Sequence, residues 1–157
     1  MPDGPRYDDD FFAWTQHQAA VLRKMPVADN RFDRENLAEE IESLGRSERD
    51  TVRSHVRRII EHFLKLSYSP AQDPRFDWMA SIVDARAILS DKISPSLRRD
   101  VRTRLPKLYL GARRRAELGL RQHHEVEAAE ALPPSCPYTL DQILREDWYP
   151  EVAERKE

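Results

Sequence analysis

The chain has 157 residues, a length that suits one domain with a hydrophobic core. Its formal net charge is −2, so it lacks the overall positive charge typical of proteins that bind nucleic acids or anionic membranes through charge alone. Charged residues make up 34 % of the chain and it has only 4 glycines, a composition that favours helices over sheets.

The cysteine count and the hydropathy pattern limit the cellular setting. Cys136 is the single cysteine, which excludes an intramolecular disulfide framework. No apolar run approaches the roughly 20 residues that a membrane span needs. The segment MPDGPRYDDDFF does not have the basic-then-apolar order of a secretory signal. We therefore expect a cytoplasmic protein that has no membrane partner.

Helical periodicity begins after a short N-terminal segment. Residues 1–7 contain proline and glycine, and we expect them to be mobile. Three acidic residues then precede Phe11, and acids at the start of a helix are favourable. The first predicted helix runs from there to Met25, with Trp14 and Leu22 on its buried face.

Residues 34–69 form the longest stretch with helical periodicity. Apolar side chains recur every three or four residues, with one gap after Leu44, and only a helix presents that period on one face. Asp33 is the predicted N-cap, and Pro70 ends the run because proline disfavours helical geometry in the residue before it. Gly45 lies inside this long helix and marks either a break or a close helix crossing.

Two more long helices follow. Asp73 before Pro74 indicates an N-cap and the first residue of a third helix. Ser94 before Pro95 repeats this signal for a fourth helix. Pro106 falls inside the fourth helix and predicts either a kink or a break there.

The C-terminal part of the chain contains one further element. Residues 122–137 lose the periodicity and predict a fraying helix end and a loop, whereas Thr139 opens a T-x-x-Q capping box and a short helix through about Asp147. Together the patterns predict a single all-helical domain over residues 1–157, an all-α bundle of four main helices, one of them long and central, plus a short C-terminal helix. The last residues, about 150–157, are expected to be mobile.

Charges on the long helix are ordered along one face, with acids in its first half and bases in its second. Two such helices laid antiparallel would place acid against base at both ends, which is the self-complementarity that a twofold dimer needs. The alternative is that this face is solvated or pairs with other helices of the same chain. The predicted dimer face consists of Glu35, Glu39, Glu42, Arg46, Arg49 and Arg53.

Three polar residues of the long helix, Glu48, His55 and His62, follow each other at seven-residue steps and so share a face. Neighbours in this series are separated by a rise of about 10.5 Å, too far for one metal ion to bind two of them without ligands from other helices. We therefore predict a structural network of buried polar groups rather than a catalytic or metal site.

The strongest charge signal lies in the fourth helix. Residues 98–121 contain nine bases and two acids, and residues 125–157 contain nine acids and three bases. One interpretation is a footprint for a phosphate backbone; the other is that the acidic tail folds over the basic helix or that both are solvated. Tyr109 is the only aromatic residue in the basic stretch, which is few for stacking on single strands. The candidate nucleic-acid face consists of Arg98, Arg102, Arg113 and Arg114.

Several segments, in the same order along the chain, resemble the bacterial domain of unknown function 29 (DUF29) family. They are YDDDFFAWTQHQAAVLR, LAEEIESLGRSER, EHFLKLSYSP, the turn Pro95-Ser96-Leu97 and CPYTLDQIL. The resemblance covers about residues 7 to 150 and implies an all-helical fold without an established activity. The chain departs from the family at Leu66, where a tryptophan is common, and in the segment HHEVEAAEALPP. The matching polar and glycine positions are Glu39, Glu40, Glu42, Gly45, Glu48 and His62.

Function is predicted at the level of classes. The first hypothesis is a non-enzymatic interaction module that self-associates through the long helix and binds a protein partner of unknown identity. The alternative is an RNA- or DNA-binding or RNA-processing helical protein that uses the basic helix 98–121. A third hypothesis is a hydrolytic enzyme built on Glu48 and His62. The sequence has no Gly-rich phosphate loop, G-x-S-x-G or C-x-x-C motif. We expect no cofactor and no metal.

Overall fold

The computed structural model describes residues 3–154, and all regular secondary structure in that range is helical. This confirms the predicted all-α class and the four long helices. A short helix in the stretch expected to be a loop was not predicted. In chain order the helices are α1 (Phe11–Lys24), α2 (Arg34–Tyr68), α3 (Arg75–Lys92), α4 (Pro95–Gln122), α5 (Val126–Glu130) and α6 (Leu140–Leu144).

The long helix is unbroken, and both of its predicted ends are confirmed. The side chain of Asp33 accepts a hydrogen bond from the amide of Asn36 at 3.3 Å, as an N-cap does. Ser69 is extended in front of Pro70, which ends the helix. Its 35 residues give a rod about 52 Å long.

The two halves of α2 have different neighbours. The first half packs against α1, and the contact pairs Gly45 with Thr15. The second half lies between α3 and α4, where Val56 and Phe63 are fully buried in the main hydrophobic core. The chain thus forms a closed bundle at one end of α2 and a simpler helix pair at the other.

Gly45 marks a close crossing, not a break. A Cβ atom built on Gly45 would overlap the hydroxyl of Thr15 and come within 2.8 Å of the Gln16 side-chain nitrogen. Thr15 is fully buried and donates its hydroxyl proton to the carbonyl of Phe12 at 2.7 Å. Only a residue without a side chain lets α1 approach α2 this closely.

Pro74 lies at the start of α3 and Pro106 lies inside α4. Asp73 was expected to cap α3, but the cap position is Pro74, which is αR and has no side-chain capping bond. Pro106 lies inside α4, which continues from Pro95 to Gln122 without a break. The fourth helix begins as predicted, because the Ser94 hydroxyl accepts from the amide of Leu97 at 3.4 Å.

The C-terminal segment is fastened to the bundle by one buried cation, Arg86 of α3. Its guanidinium donates to four carbonyls at 2.8–3.1 Å, and it also lies over the rings of Phe63 and Tyr149. Two of the four carbonyls belong to the last turn of α6, where a helix has unpaired acceptors. The four acceptors are Gln142, Ile143, Glu146 and Trp148.

The predicted mobility of the chain ends stays a prediction. Residues 1, 2 and 155–157 lie outside the described range. Within it, Tyr7 packs edge-on against Trp14, with the ring centres 4.8 Å apart. The amide of Ala153 donates to the carbonyl of Ser67 at 2.8 Å, which ties the last described residues to the end of α2.

From residue 3 to residue 154, no helix combines the length and the apolar character needed to cross a bilayer.

Candidate functional site

The structure does not join Glu48, His55 and His62 into one network. Glu48 pairs with Lys92 at the end of α3, with 3.4 Å between the charged atoms. The Nδ1 atoms of both histidines are buried and have no hydrogen-bond partner among the described residues. The three residues therefore share a side of α2 while making separate contacts.

Burial sets the protonation of these two histidines. Loss of water around the ring lowers the pKa of His62 to about 4. The same desolvation, together with the positive charges of Arg58 and Lys92, lowers the pKa of His55. Burial therefore favours the neutral form of both rings.

The six residues of the predicted dimer face have partners inside the chain. The carboxylate of Glu42 accepts hydrogen bonds from the two terminal guanidinium nitrogens of Arg23 on α1. Arg53 makes a two-point contact with Asp100 on α4, at 2.6 and 2.7 Å, and these hydrogen bonds hold the pKa of Asp100 below its usual range. The other pairs lie on α2 itself: Glu39 with Arg46, Glu35 with Arg34, and Arg49 with Asp50.

Two of these pairs, Glu42 with Arg23 and Arg53 with Asp100, join α2 to other helices of the same chain, as in the second interpretation of that face. Sequence reasoning followed the ordered charges and missed a different side of α2, which points away from the core. At 3.6 residues per turn its members fall within an arc of about 60°. All five are exposed, and we call them the outer face of α2: Glu40, Ser43, Ser47, Ser54 and Arg58.

The outer face has small residues at its centre and one unpaired charge at each end. Ser43, Ser47 and Ser54 line a shallow depression along the helix. Glu40 and Arg58 make no ion pair within residues 3–154. The signal that could have found this face is the repeat of serines at four- and seven-residue steps between two opposite charges.

A second concave region, which we call the α2–α4 groove, separates α2 from α4 and has a volume of about 640 Å³. Gly111 forms part of its wall, and a Cβ atom built on this glycine would lie 3.5 Å from Cδ of Arg57. Five bases and one acid supply the charge of the lining: Arg53, Arg57, Arg104, Lys107, Arg114 and Asp50.

The four residues of the candidate nucleic-acid face lie on two different sides of α4. Arg114 lines the groove, whereas Arg98, Arg102 and Arg113 lie on the other side of α4. Successive helical residues turn by 100°, so positions 113 and 114 point in different directions although they are adjacent. The four predicted residues therefore do not form one surface. Four bases of the groove were not in the predicted set: Arg53, Arg57, Arg104 and Lys107.

The bases on the far side of α4 face the C-terminal segment. Arg113 donates to the carbonyls of Pro133 and Leu132 at 3.0 and 3.3 Å, and Arg98 lies 3.9 Å from Asp141. The tail thus contacts α4 mainly through backbone oxygens, and less through its acidic side chains.

The described residues offer neither a metal cluster nor a reactive thiol. Across residues 3–154, no three side chains of the His, Cys, Asp and Glu types meet as a metal site would require. Burial raises the pKa of the Cys136 thiol, so little thiolate forms near neutral pH and the residue is a poor nucleophile. Two concave surfaces that differ in charge are the candidate binding sites: the outer face of α2 and the α2–α4 groove.

Comparison with known proteins gives a family and a fold. Residues 6–149 match the family described as "Domain of unknown function DUF29". An alpha-helical protein of unknown function from Rhodospirillum rubrum ATCC 11170, solved by crystallography, is 28 % identical. The match covers 93 % of each chain with a TM-score of 0.81. Among curated proteins, no match is found.

Proposed function

The chain belongs to the DUF29 family, and from its geometry we propose that it is a non-enzymatic interaction module that joins two copies through the outer face of α2. The observation that carries this proposal is the arrangement of opposite, unpaired charges at the two ends of an exposed helix face. The proposal keeps the predicted antiparallel dimer and moves its contact to another side of the helix.

A twofold axis beside position 49 makes the outer face complementary to itself. In an antiparallel pair related by that axis, Glu40 of one copy lies opposite Arg58 of the other, and symmetry repeats the contact. Both side chains are exposed and make no ion pair within residues 3–154. Association would therefore not break an existing salt bridge at either end.

The centre of the face suits a close helix crossing. Ser47 lies opposite Thr51 in this arrangement, and small side chains at a crossing let two helix backbones approach. Leu44 lies at the edge of the face, 58 % exposed, and would be covered by the second copy. Removing this apolar side chain from water adds a favourable contribution that charge alone does not supply.

The proposal is tested by exchanging the two charges. Glu40→Lys or Arg58→Glu alone replaces two attractive contacts with two repulsive ones. Each should weaken the dimer by about 1–2 kcal/mol, or roughly tenfold in Kd. The double variant Glu40→Arg/Arg58→Glu restores both contacts with reversed polarity and should recover dimerisation. Analytical ultracentrifugation at low salt measures the mass in each case.

Matched controls are exposed charges elsewhere on the chain, Glu130→Lys and Arg99→Glu, which should leave the dimer Kd unchanged. Circular dichroism checks that every variant remains helical. Single exchanges without effect, or a double variant no better than the single ones, would contradict the proposed face. A wild-type chain that stays monomeric at high concentration would contradict the function itself.

A further inference from the structure

The α2–α4 groove lies within a single copy of the chain. We propose that the α2–α4 groove binds the phosphate backbone of a nucleic-acid double helix, without regard to base sequence. This goes beyond self-association, because the groove is built from different residues and needs no second copy.

Positive charge is concentrated in the groove, and only part of it is paired with acidic side chains. Arg53 is occupied by Asp100, and Arg104 lies 3.9 Å from the same carboxylate. Arg57, Lys107 and Arg114 are exposed and make no ion pair within residues 3–154. Three free cations therefore surround one cleft, although the whole chain carries a net charge of −2.

The spacing of these cations suits a repeating polyanion. Positions 104, 107 and 114 follow one side of α4, and they span about 15 Å at 1.5 Å per residue. A double helix carries one phosphate charge for about every 1.7 Å of its axis, so several phosphates fall within that length.

The uncharged lining argues against two other ligands. No aromatic side chain from residues 3–154 lines the groove, so the bases of a single strand would find no ring there on which to stack. Exposed Leu110 is the main apolar contact, whereas acidic peptides that dock as amphipathic helices need several apolar anchors along the groove. Recognition by charge alone, which positions a backbone and reads no sequence, fits the double helix best.

The test is fluorescence anisotropy of a labelled DNA duplex of about 20 base pairs, titrated with the full chain at several salt concentrations. We expect binding that weakens steeply as salt rises and that is equal for unrelated sequences. The variant Lys107→Gln/Arg114→Gln removes two phosphate contacts. It should weaken binding at low salt by about tenfold or more and reduce the salt slope by about 2.

Arg102→Gln is the matched control, because Arg102 is an exposed base of the same helix on the side away from the groove. It should keep the wild-type affinity and slope. Equal losses from the control and the groove variant would overturn the proposal, since they would indicate attraction to the helix as a whole. So would the absence of binding at low salt, or displacement of the duplex by poly-glutamate at lower charge concentration than by unlabelled duplex.

The two proposals fail separately. Arg57, Lys107 and Arg114 lie outside the outer face of α2, so the groove variant should dimerise like the wild type. A chain that dimerises without binding the duplex would overturn only the inference about the groove.

Discussion

The two halves of α2 belong to one unbroken helix but have different surroundings. From about Glu48 onward the helix is enclosed by α3 and α4, and Val56, Ile59 and Phe63 are fully buried. Before that point α1 covers one side, while Leu37 and Leu44 are 42 % and 58 % exposed. Apolar residues recur at helical spacing in both halves. The halves differ in how many neighbouring helices cover those apolar side chains.

The difference teaches where to look for stability and where to look for binding. Free energy of folding comes mainly from apolar surface that is removed from water, which in this chain lies around the second half of α2. Exposed Leu37 and Leu44 on the first half, and the outer face that runs from Glu40 to Arg58, contribute little to folding and are available to a partner. We expect truncation of a buried residue in the second half and of an exposed residue in the first half to separate these properties.

The largest expected effect comes from truncating one apolar residue in each half. Phe63→Ala should lower the free energy of unfolding by about 3–5 kcal/mol, because the ring is fully buried against Tyr138 and Trp148. Leu44→Ala should change it by less than about 0.5 kcal/mol. Urea unfolding at a protein concentration below the dimer Kd gives both values. Similar losses at the two positions would contradict the division of α2.

A smaller loss is expected where α1 crosses the first half of α2. Gly45→Ala improves intrinsic helix propensity by about 1 kcal/mol, yet the added methyl group would collide with Thr15, and overpacking of this kind costs about 1–3 kcal/mol. We expect a net loss of stability in thermal unfolding. The double variant Gly45→Ala/Thr15→Ala removes the obstructing hydroxyl and should recover part of it. A single variant more stable than the wild type would show that α1 does not pack as described.

A loss of similar size is expected from a pH dependence in the enclosed half. The pKa of His62 is about 4 in the folded chain, below the ordinary value of 6.5, so the unfolded chain binds a proton there more readily. Stability from this residue is fully present above pH 6.5 and is lost as the pH falls from 6.5 toward 4. Partial exposure limits the loss to about 2 kcal/mol.

Urea unfolding at pH 7 and pH 5 measures this dependence. His62→Gln should flatten it in that window, while His123→Gln, at an exposed position, should leave it unchanged. An unaltered slope in His62→Gln would show that His62 is not the group that titrates.

Sequence periodicity was sufficient to predict the all-α class and the four long helices, because it reports local backbone geometry. Asp33, Pro70 and the apolar spacing between them define α2, and a capping box at Thr139 defines the start of α6, where both of its hydrogen bonds form. The close crossing at Gly45 was one of two alternatives, and only the position of Thr15 on another helix decides between them. Nothing near Arg86 in sequence shows that four carbonyls some sixty residues later surround it.

The candidate sites were less predictable, because they depend on contacts between helices that are far apart in sequence. Charge order along α2 suggested a dimer face, but Arg23 and Asp100 lie on other helices and take up Glu42 and Arg53. A run of bases in one stretch of sequence does not say which side of the helix each base occupies. Arg57 shows the converse, since it joins the groove from α2 and stands far from the basic stretch of α4.

The most direct test of the account is a pair of distances between two copies, measured by pulsed electron paramagnetic resonance. Spin labels on Asp50→Cys, an exposed position beside the outer face, in a Cys136→Ala background, should lie about 3 Å apart along the helix axis, in addition to the lateral distance between the two helices. Labels on Asn36→Cys should be separated by about 39 Å along that axis, because an antiparallel pair diverges by about 3 Å for each residue from its centre. Equal distances at the two positions, or no dipolar signal between copies, would contradict an antiparallel dimer formed through the outer face of α2.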